Sequence, residues 1–411
     1  MALAAQTGDA HAQLELAEIY AAGAGVPVDH AQAAFWYRKA AGQGSVKAAT
    51  RMGQLYLRGA GVSQDYAEAI HWLRRAADAA EPGAVATLGW CYQEGMGVTR
   101  DYVEARNWYQ RAADLGHAGA RYNLGYMHAQ GIGTPRNESE AVRWYTRAAE
   151  QGHVRAQLNL GLMHAQGLGT PPDPQAAVRW YSVAANQGYA KAQYNLALLY
   201  AGGEGVEPDE ELACLWYRKA AQQGYYKAQY SLGLHYLYGL GIERDAGKAL
   251  RCFTLAAAQG YAKAWYQLGK MHARGTGTPV DAVESLRCLR RSADGGYARA
   301  QYRLAGKIQR GEGVIRDEIE AARWLEKAAM QGYALAQYAL GILYTRGQGV
   351  TADSVCACAW LSLASESGDS RMRAAGDRIR QALTQEERLE ARRLSAEWRA
   401  VYRSRTTATV A

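Results

Sequence analysis

The sequence predicts an all-α protein, a solenoid of ten 36-residue helix-turn-helix repeats that is closed by a C-terminal helical cap. Glycine recurs every 36 residues from Gly8 to Gly368, without insertion or deletion, and Ala80 is the one exception. A Gly-x-Gly pair keeps the same period, starting with Gly23 and Gly25. A repeat of this length cannot bury its own apolar face, so neighbouring repeats are expected to bury it by stacking into an array.

Each repeat contains two predicted helices, and the first of them, helix A, is illustrated by residues 190–200. Ala192, Leu196 and Tyr200 are four residues apart, so they share one face of a helix. The helix is predicted to end at Gly203, because glycine adopts the left-handed backbone of a helix exit without strain.

The second helix, helix B, is predicted to begin after an Asp or Asn that occupies the same position in every repeat. Such a side chain accepts hydrogen bonds from the free backbone N–H groups of a helix start. The predicted N-caps are Asp29, Asp65, Asp101, Asn137, Asp173, Asp209, Asp245, Asp281, Asp317 and Asp353. In the repeat that contains Asp209, helix B carries Trp216 and Ala220 on its apolar face and closes at Gly224.

Small and large residues occupy fixed positions, which predicts close helix packing. The position of Gly161 is Gly or Ala in every repeat, so a neighbouring helix is expected to approach closely there. A row of tryptophans in helix B, including Trp144 and Trp216, could form a platform that stacks bases or sugars. Its place on the apolar face, with Cys252 and Cys288 as substitutes in two repeats, favours core packing instead.

The domain organisation follows the same period. The array is predicted to occupy 1–368, with repeats at about 9–44, 45–80, 81–116, 117–152, 153–188, 189–224, 225–260, 261–296, 297–332 and 333–368. A capping-box pattern, Thr384 to Glu387, opens a predicted helix rich in Arg and Glu. We interpret 369–403 as a polar C-terminal cap rather than as a docking helix for a partner, and 404–411 as a disordered tail.

The N-terminal residues 1–8 align with 37–44, so the chain begins inside the last predicted turn of a helix B. Either the protein starts there or the chain is a piece of a longer one. No export signal is recognisable at this end. We therefore expect a cytoplasmic protein, or a periplasmic or secreted one if an N-terminal signal has been removed.

Four strings of one repeat carry a resemblance to a known family. They are Ala-Gln-Tyr-Asn-Leu at 192–196, Gly-Glu-Gly-Val at 203–206, Leu-Trp-Tyr-Arg-Lys-Ala-Ala at 215–221 and Gln-Gly-Tyr at 223–225. In a 36-residue unit they resemble the Sel1-like repeat family, which is related to tetratricopeptide repeats. The resemblance implies a right-handed superhelix of paired helices that acts as an adaptor or scaffold. The family has no shared catalytic residues that could be transferred to this chain.

The sequence offers little for catalysis or metal binding. Cysteines and histidines that share a repeat position, such as Cys252 and Cys288 or His128 and His164, are separated by a full repeat. That separation is too large for a disulfide or a shared metal ion. Neither a Ser-His-Asp set nor paired carboxylates are visible, and no apolar stretch approaches the roughly 18 residues that a membrane helix needs. We therefore predict no enzymatic activity, no metal site and no cofactor.

The residues that vary most between repeats form one stripe along helix A. Its rows pass through residues 11, 15, 18 and 22 of the first repeat, which lie on one face, separate from the core rows. In the middle repeats the row of residue 11 is basic, the row of residue 15 is asparagine, and the row of residue 18 is apolar or aromatic. The predicted partner-binding residues are Asn123, Tyr126, Arg155, Asn159, Leu162, Lys191, Asn195, Leu198, Lys227 and Leu234. The alternative is a solvated face made of consensus residues.

These patterns predict a non-enzymatic protein-interaction scaffold whose concave helix A surface binds a partner segment. Asparagine amides can pair with an extended backbone, apolar neighbours can hold its side chains, and the basic row favours acidic residues in the segment. The net charge of +8 and the pI near 9.0 leave a nucleic-acid-binding helical repeat protein as the alternative. Steeply salt-dependent binding to unrelated RNAs would distinguish that alternative.

Overall fold

The computed structural model describes residues 2–410, and in this range the chain forms 23 α-helices and no β-strand. The predicted all-α class and the ten helix pairs are therefore confirmed. By their contacts the residues group into an N-terminal unit, Met1–Pro208, and a C-terminal unit, Asp209–Ala411. The boundary lies inside the sixth repeat, between its helix A and its helix B.

In both units helix A and helix B alternate along the chain. The N-terminal unit contains α1 (Ala2–Gln6), α2 (Ala10–Ala22), α3 (His30–Gly42), α4 (Val46–Arg58), α5 (Tyr66–Asp78), α6 (Pro82–Glu94), α7 (Tyr102–Asp114), α8 (Ala118–Gln130), α9 (Glu138–Glu150), α10 (Val154–Gln166), α11 (Pro174–Asn186) and α12 (Ala190–Gly202). The C-terminal unit contains α13 (Glu210–Gln222), α14 (Tyr226–Tyr238), α15 (Ala246–Ala258), α16 (Ala262–Arg274), α17 (Ala282–Asp294), α18 (Ala298–Arg310), α19 (Glu318–Ala329), α20 (Ala334–Arg346), α21 (Ser354–Ser365), α22 (Ser370–Ala382) and α23 (Gln385–Val410). Helix A is even-numbered from α2 to α20, and helix B is odd-numbered from α3 to α21.

The predicted N-caps of helix B are confirmed in every repeat. The Oδ1 atom of Asp209 accepts a hydrogen bond from the backbone N–H of Leu212 at 2.8 Å. Equivalent side-chain bonds are made by Asp29, Asp65, Asp101, Asn137, Asp173, Asp245, Asp281, Asp317 and Asp353. Each bond satisfies a backbone donor that has no partner within the helix.

The two glycines of the Gly-x-Gly pair have different structural roles. Gly203 has a φ of +68° and ends helix α12 in the left-handed conformation. A Cβ atom at Gly205 would lie 2.4 Å from the carbonyl carbon of Pro174, the first residue of α11. The second glycine therefore allows the turn to pack directly against the first residues of helix B in the preceding repeat. Any side chain at this position would block that contact.

The predicted close helix approach at Gly161 is confirmed. A Cβ atom there would lie 2.6 Å from Cε1 of Tyr181, whose ring is buried between α10 and α11. The tryptophan row is core packing, as expected: Trp144 and Trp216 are buried, and the Nζ atom of Lys219 lies 4.0 Å from the centre of the Trp216 ring. The other tryptophans of the row are buried or partly buried against the same core, so the row is not an open stacking platform.

A buried glutamine links successive repeats, a feature that the sequence did not predict. The Nε2 atom of Gln157 donates to the carbonyl oxygen of Ala149, and its Oε1 atom accepts from Nε2 of Gln187, at 3.2 and 2.9 Å. One side chain thus joins the helix B before it to the helix B after it. We call this arrangement the glutamine link, and Gln13, Gln229 and Gln301 repeat it.

Helices α22 and α23 cover the end of the tenth repeat. The predicted capping box is confirmed, because the backbone N–H of Thr384 donates to Oε2 of Glu387 at 2.8 Å and the backbone N–H of Glu387 donates to Oγ1 of Thr384 at 3.3 Å. The rings of Trp360 and Trp398 stack with their centres 4.1 Å apart. Trp360 is consequently buried at the array end.

Helix α23 extends to Val410, and Ala411 lies outside the described residues. No glycine or proline interrupts the chain after residue 384, and a helix that has already formed gains a hydrogen bond with each added residue. The disordered tail at 404–411 stays a prediction.

Candidate partner-binding surface

The apolar row of the predicted stripe is exposed on helix A of the N-terminal unit. Tyr126 on α8, Leu162 on α10 and Leu198 on α12 are 43%, 36% and 44% exposed. The leucine two residues before each of them, as at Leu160 and Leu196, is buried in the core. A row of partly exposed apolar side chains on consecutive helices is a typical contact surface for another chain.

The asparagine row is half-buried and lies beside tyrosine side chains. The side chain of Asn159 interacts with the hydroxyls of Tyr145 and Tyr122, and that of Asn195 with the hydroxyl of Tyr181. Asn123 is placed in the same way beside Tyr109. Burial raises the pKa of Tyr181 to about 12, and the interaction with Asn195 acts in the opposite direction. Each of these amides therefore has a polar neighbour on the preceding helix B.

We expect Asn159→Ala to lower the free energy of unfolding by about 1 kcal/mol, because the buried hydroxyl of Tyr145 loses a polar neighbour. Urea denaturation measures this loss. In a Tyr145→Phe background the same substitution is expected to cost about half as much, since the hydroxyl with which Asn159 interacts is already absent. An equal cost in both backgrounds would show that the interaction between Asn159 and Tyr145 does not contribute to stability.

The basic residues of the prediction are distributed over both units. Arg155 and Lys191 are exposed at the starts of α10 and α12. Lys227 and Leu234 are half-buried on α14 in the C-terminal unit. On three consecutive A helices of one unit, α8, α10 and α12, the structure therefore places Asn123, Tyr126, Arg155, Asn159, Leu162, Lys191, Asn195 and Leu198.

A groove of about 540 Å³ crosses four consecutive A helices of the N-terminal unit. Its walls come from α4, α6, α8 and α10, and they include Trp90, Tyr122, Arg58 and Arg155. We call it the N-terminal groove, and its full lining is Gln54, Leu57, Arg58, Gly83, Ala86, Thr87, Trp90, His117, Gly119, Tyr122, Asn123, His153, Val154 and Arg155. An aromatic floor with guanidinium groups at both ends suits a segment that carries apolar and acidic side chains.

The two histidines of the groove wall are held as neutral donors. The Nδ1 atoms of His117 and His153 accept hydrogen bonds from the backbone N–H groups of Ala120 and Ala156 at 3.0 and 3.3 Å. Burial is the largest of the effects that lower the pKa of each imidazole. A neutral ring whose Nδ1 accepts a bond carries its proton on Nε2, so each histidine keeps one N–H donor at the wall.

The prediction from the sequence identified only part of this groove. Of the ten predicted residues, Asn123 and Arg155 line it, whereas Asn159, Leu162, Asn195 and Leu198 continue the surface along α10 and α12. It missed Gln54 and Arg58, although both lie on the rows that define the stripe. It also missed the histidines, because a helix start capped by an imidazole resembles no common N-cap pattern.

The described residues contain one close Cys–His contact, in the C-terminal unit. Sγ of Cys214 lies 3.2 Å from Nδ1 of His235, which lies 3.0 Å from the carbonyl oxygen of Leu240. Burial and the nearby Glu210 raise the pKa of Cys214 to about 11, so it is a thiol rather than a nucleophilic thiolate at neutral pH. Within residues 2–410 no three His, Cys, Asp or Glu side chains are grouped to hold a metal ion.

Six cysteines are present as free thiols. Every helix in the described range is too short or too polar to cross a lipid bilayer.

Comparison with known proteins gives strong structural matches. A protective antigen of uropathogenic Escherichia coli that displays an SLR fold is 36% identical, with 97% of this chain and 86% of that chain covered and a TM-score of 0.77. A Sel1 repeat protein from Oxalobacter formigenes is 35% identical, with 80% and 93% covered and a TM-score of 0.62. Comparison with curated proteins finds no match.

The sequence pattern of the Sel1 repeat matches ten consecutive segments of the chain. They are residues 10–45, 46–80, 84–117, 118–153, 154–189, 190–225, 227–261, 262–297, 298–333 and 334–369. Most of these begin one residue after the repeats that the glycine period predicted. Sel1 repeats commonly mediate protein interactions, and together the matches span nearly all of the helix pairs. The chain therefore belongs to the Sel1 repeat family.

Proposed function

We propose that the protein is a non-enzymatic scaffold that binds an extended segment of a partner protein in the N-terminal groove. The observation that carries this proposal is the groove itself, in which four consecutive A helices leave Trp90 and Tyr122 accessible. The core rows of each repeat, as at Leu160 and Tyr181, are occupied by packing between helices, and exposed apolar residues such as Val103 are not part of the groove lining. An accessible aromatic surface within such a stack is available for another chain.

The size of the groove favours an extended segment over a small molecule. Neighbouring helices pack about 10 Å apart, so four A helices present a path of roughly 30 Å. An extended chain advances about 3.3 Å per residue, and about nine residues would cover that path. The imidazole N–H groups and the amide of Gln54 offer hydrogen-bonding partners for its backbone.

The charges at the groove indicate the chemistry of the segment. Arg58 and Arg155 lie at opposite ends, and no acidic side chain lines the groove between them. Lys191 adds a positive charge on the next A helix, α12. We infer that the segment carries apolar residues for the aromatic floor and acidic residues for its ends.

Site-specific photo-crosslinking tests the proposal. A benzoylphenylalanine at position 90, 126 or 162 in the full-length protein is expected to capture the same partner protein from the native host. The same probe at Val103 or Val183, which are exposed on helices α7 and α11, is the matched control and should not capture it. Capture at the control positions alone would place the partner on helix B and contradict the proposal.

The captured partner then allows a quantitative measurement. We expect Trp90→Ala to weaken its binding by about tenfold or more, because a large aromatic contact residue is lost. Val103→Ala is expected to leave the affinity unchanged. Isothermal titration calorimetry with the purified proteins gives both values, and equal affinities of the two variants would show that the groove is not used.

A further inference from the structure

The C-terminal unit contains a second hollow on helix A, and its lining is cationic. It has a volume of about 250 Å³ and lies between α14, α16 and the turns that follow them. Arg244, Lys270 and Arg274 line it together with Tyr238 and Gln267. No Asp or Glu is part of the lining. We call it the cationic hollow.

The positive charges of this hollow are not neutralised within the protein. In the described chain no ion pair involves Arg244, Lys270 or Arg274. Two basic residues on α18 show the contrast, because Lys307 and Arg310 both pair with Glu312. The hollow therefore keeps a local positive charge that its surroundings do not offset.

Two arginines of the next A helix extend the same positive region. Arg299 and Arg303 lie on α18, and both are exposed. Burial, followed by the charges of Arg274, Arg303 and Arg299, lowers the pKa of Lys270. These cations are thus close enough to repel one another, and a bound anion would relieve that repulsion.

The cationic hollow also differs from the equivalent surface of the preceding repeats. Lys270 occupies the row that carries Leu162, Leu198 and Leu234 in earlier A helices. Its amine lies 5.9 Å from the centre of the Tyr266 ring, so the side chain is supported over an aromatic surface. A lysine held among arginines, at a position that is apolar in the five preceding repeats, indicates an anionic ligand.

The aromatic residues nearby favour an acidic protein segment over single-stranded nucleic acid. Base stacking requires free ring faces, and Tyr238 is exposed. The rings of Tyr266 and Tyr297, by contrast, contact each other at 5.3 Å, and Tyr230 packs against Phe253 at 5.6 Å. One exposed tyrosine does not make a stacking platform for successive bases.

We propose that Arg244, Lys270 and Arg274, extended by Arg299 and Arg303, bind a run of acidic side chains in a partner protein. The inference rests on the proposed function in taking a protein as the ligand, but it concerns a different surface. In a polyproline II conformation, side chains three residues apart project on the same side about 9 Å apart, which is close to the spacing of neighbouring helices. Acidic residues at every third position would therefore meet one A helix each.

A fluorescein-labelled octaglutamate peptide is the probe, and fluorescence anisotropy with the full-length protein measures its affinity. We expect saturable binding that weakens steeply as salt increases. The double variant Lys270→Glu and Arg274→Glu should bind the peptide at least about tenfold more weakly, because attraction becomes repulsion at the hollow. Circular dichroism establishes that the variant is folded.

The matched control carries Arg251→Glu and Arg323→Glu, two exposed helix B residues on α15 and α19. It has the same net charge as the hollow variant and should retain the affinity of the original protein. Equal losses in both variants, or no binding at all, would overturn the proposal. Displacement of the peptide by a 12-nucleotide single-stranded RNA of similar or higher affinity would overturn the choice of a protein segment.

The two proposals can fail independently. Octaglutamate binding is measured on residues of the C-terminal unit, whereas photo-crosslinking at 90, 126 and 162 reports on the N-terminal unit. If octaglutamate does not bind but photo-crosslinking succeeds, the proposal for the cationic hollow is refuted and the proposed scaffold function is retained.

Discussion

Gly161→Leu is expected to lower the free energy of unfolding by about 3 kcal/mol, the upper end of the usual cost of overpacking. The first added carbon would already lie 2.6 Å from the ring of Tyr181, which is 3% exposed and cannot move into solvent. A leucine adds three further carbons in the same narrow space. Urea denaturation followed by circular dichroism measures the loss. An unchanged midpoint would mean that α10 and α11 do not pack as described.

A matched control is available at Gly202, the last residue of α12. A Cβ atom there meets no other heavy atom closer than 3.7 Å, so Gly202→Leu should change stability by less than about 1 kcal/mol. The position of Gly161 itself tolerates a methyl group, because Ala17, Ala197 and Ala305 occupy it in other repeats. Gly161→Ala is therefore expected to cost clearly less than Gly161→Leu.

Removal of 369–411 is expected to cause aggregation or unfolding from the tenth repeat. Helices α22 and α23 cover Trp360 and Leu361, which are otherwise the outermost apolar residues of the array. Loss of this cover would expose the apolar face of α21 to water and to other molecules. Light scattering and hydrogen exchange measure the two outcomes. A truncated protein that stays monomeric and melts unchanged would show that the segment is not a cap.

A point substitution tests the same contact with less disruption. Trp398→Ala removes the stacking partner of Trp360 and should cost on the order of 2 kcal/mol, less than for a fully buried tryptophan. Leu389→Ala on the same helix is the control, because Leu389 is 59% exposed. Its effect should be within about 0.5 kcal/mol. Similar losses for both variants would show that the cap is stabilised by helix α23 itself rather than by this contact.

The regular part of the fold could be predicted because it depends on interactions within one repeat. An N-cap such as Asp209 and a helix exit such as Gly203 act over a few residues, and their chemistry recurs with every period. The tight contact at Gly161 was also predictable, since a row restricted to Gly and Ala indicates limited space. Local rules of this kind identified the helices and the capping box.

The binding surface was harder to predict because it depends on contacts between repeats. Nothing in the sequence of one repeat pairs Asn159 with Tyr145, and only the packing of α10 against α9 brings the two side chains together. The N-terminal groove needs four helices to close its walls, so no single repeat contains its signature. The boundary at Pro208 has no marker either, since the repeat around it follows the same pattern as its neighbours.

The glutamine link has a mechanical consequence for the N-terminal groove. Gln157 ties three successive helices together, but its position is taken by Ala49 on α4 and Val85 on α6, two helices of the groove wall. Neither side chain can form directional bonds, and apolar contacts resist small rotations less than hydrogen bonds do. We therefore expect α4 and α6 to be more compliant than the helices that follow Gln157. A segment bound as proposed above would then meet a groove whose width can adjust at one end.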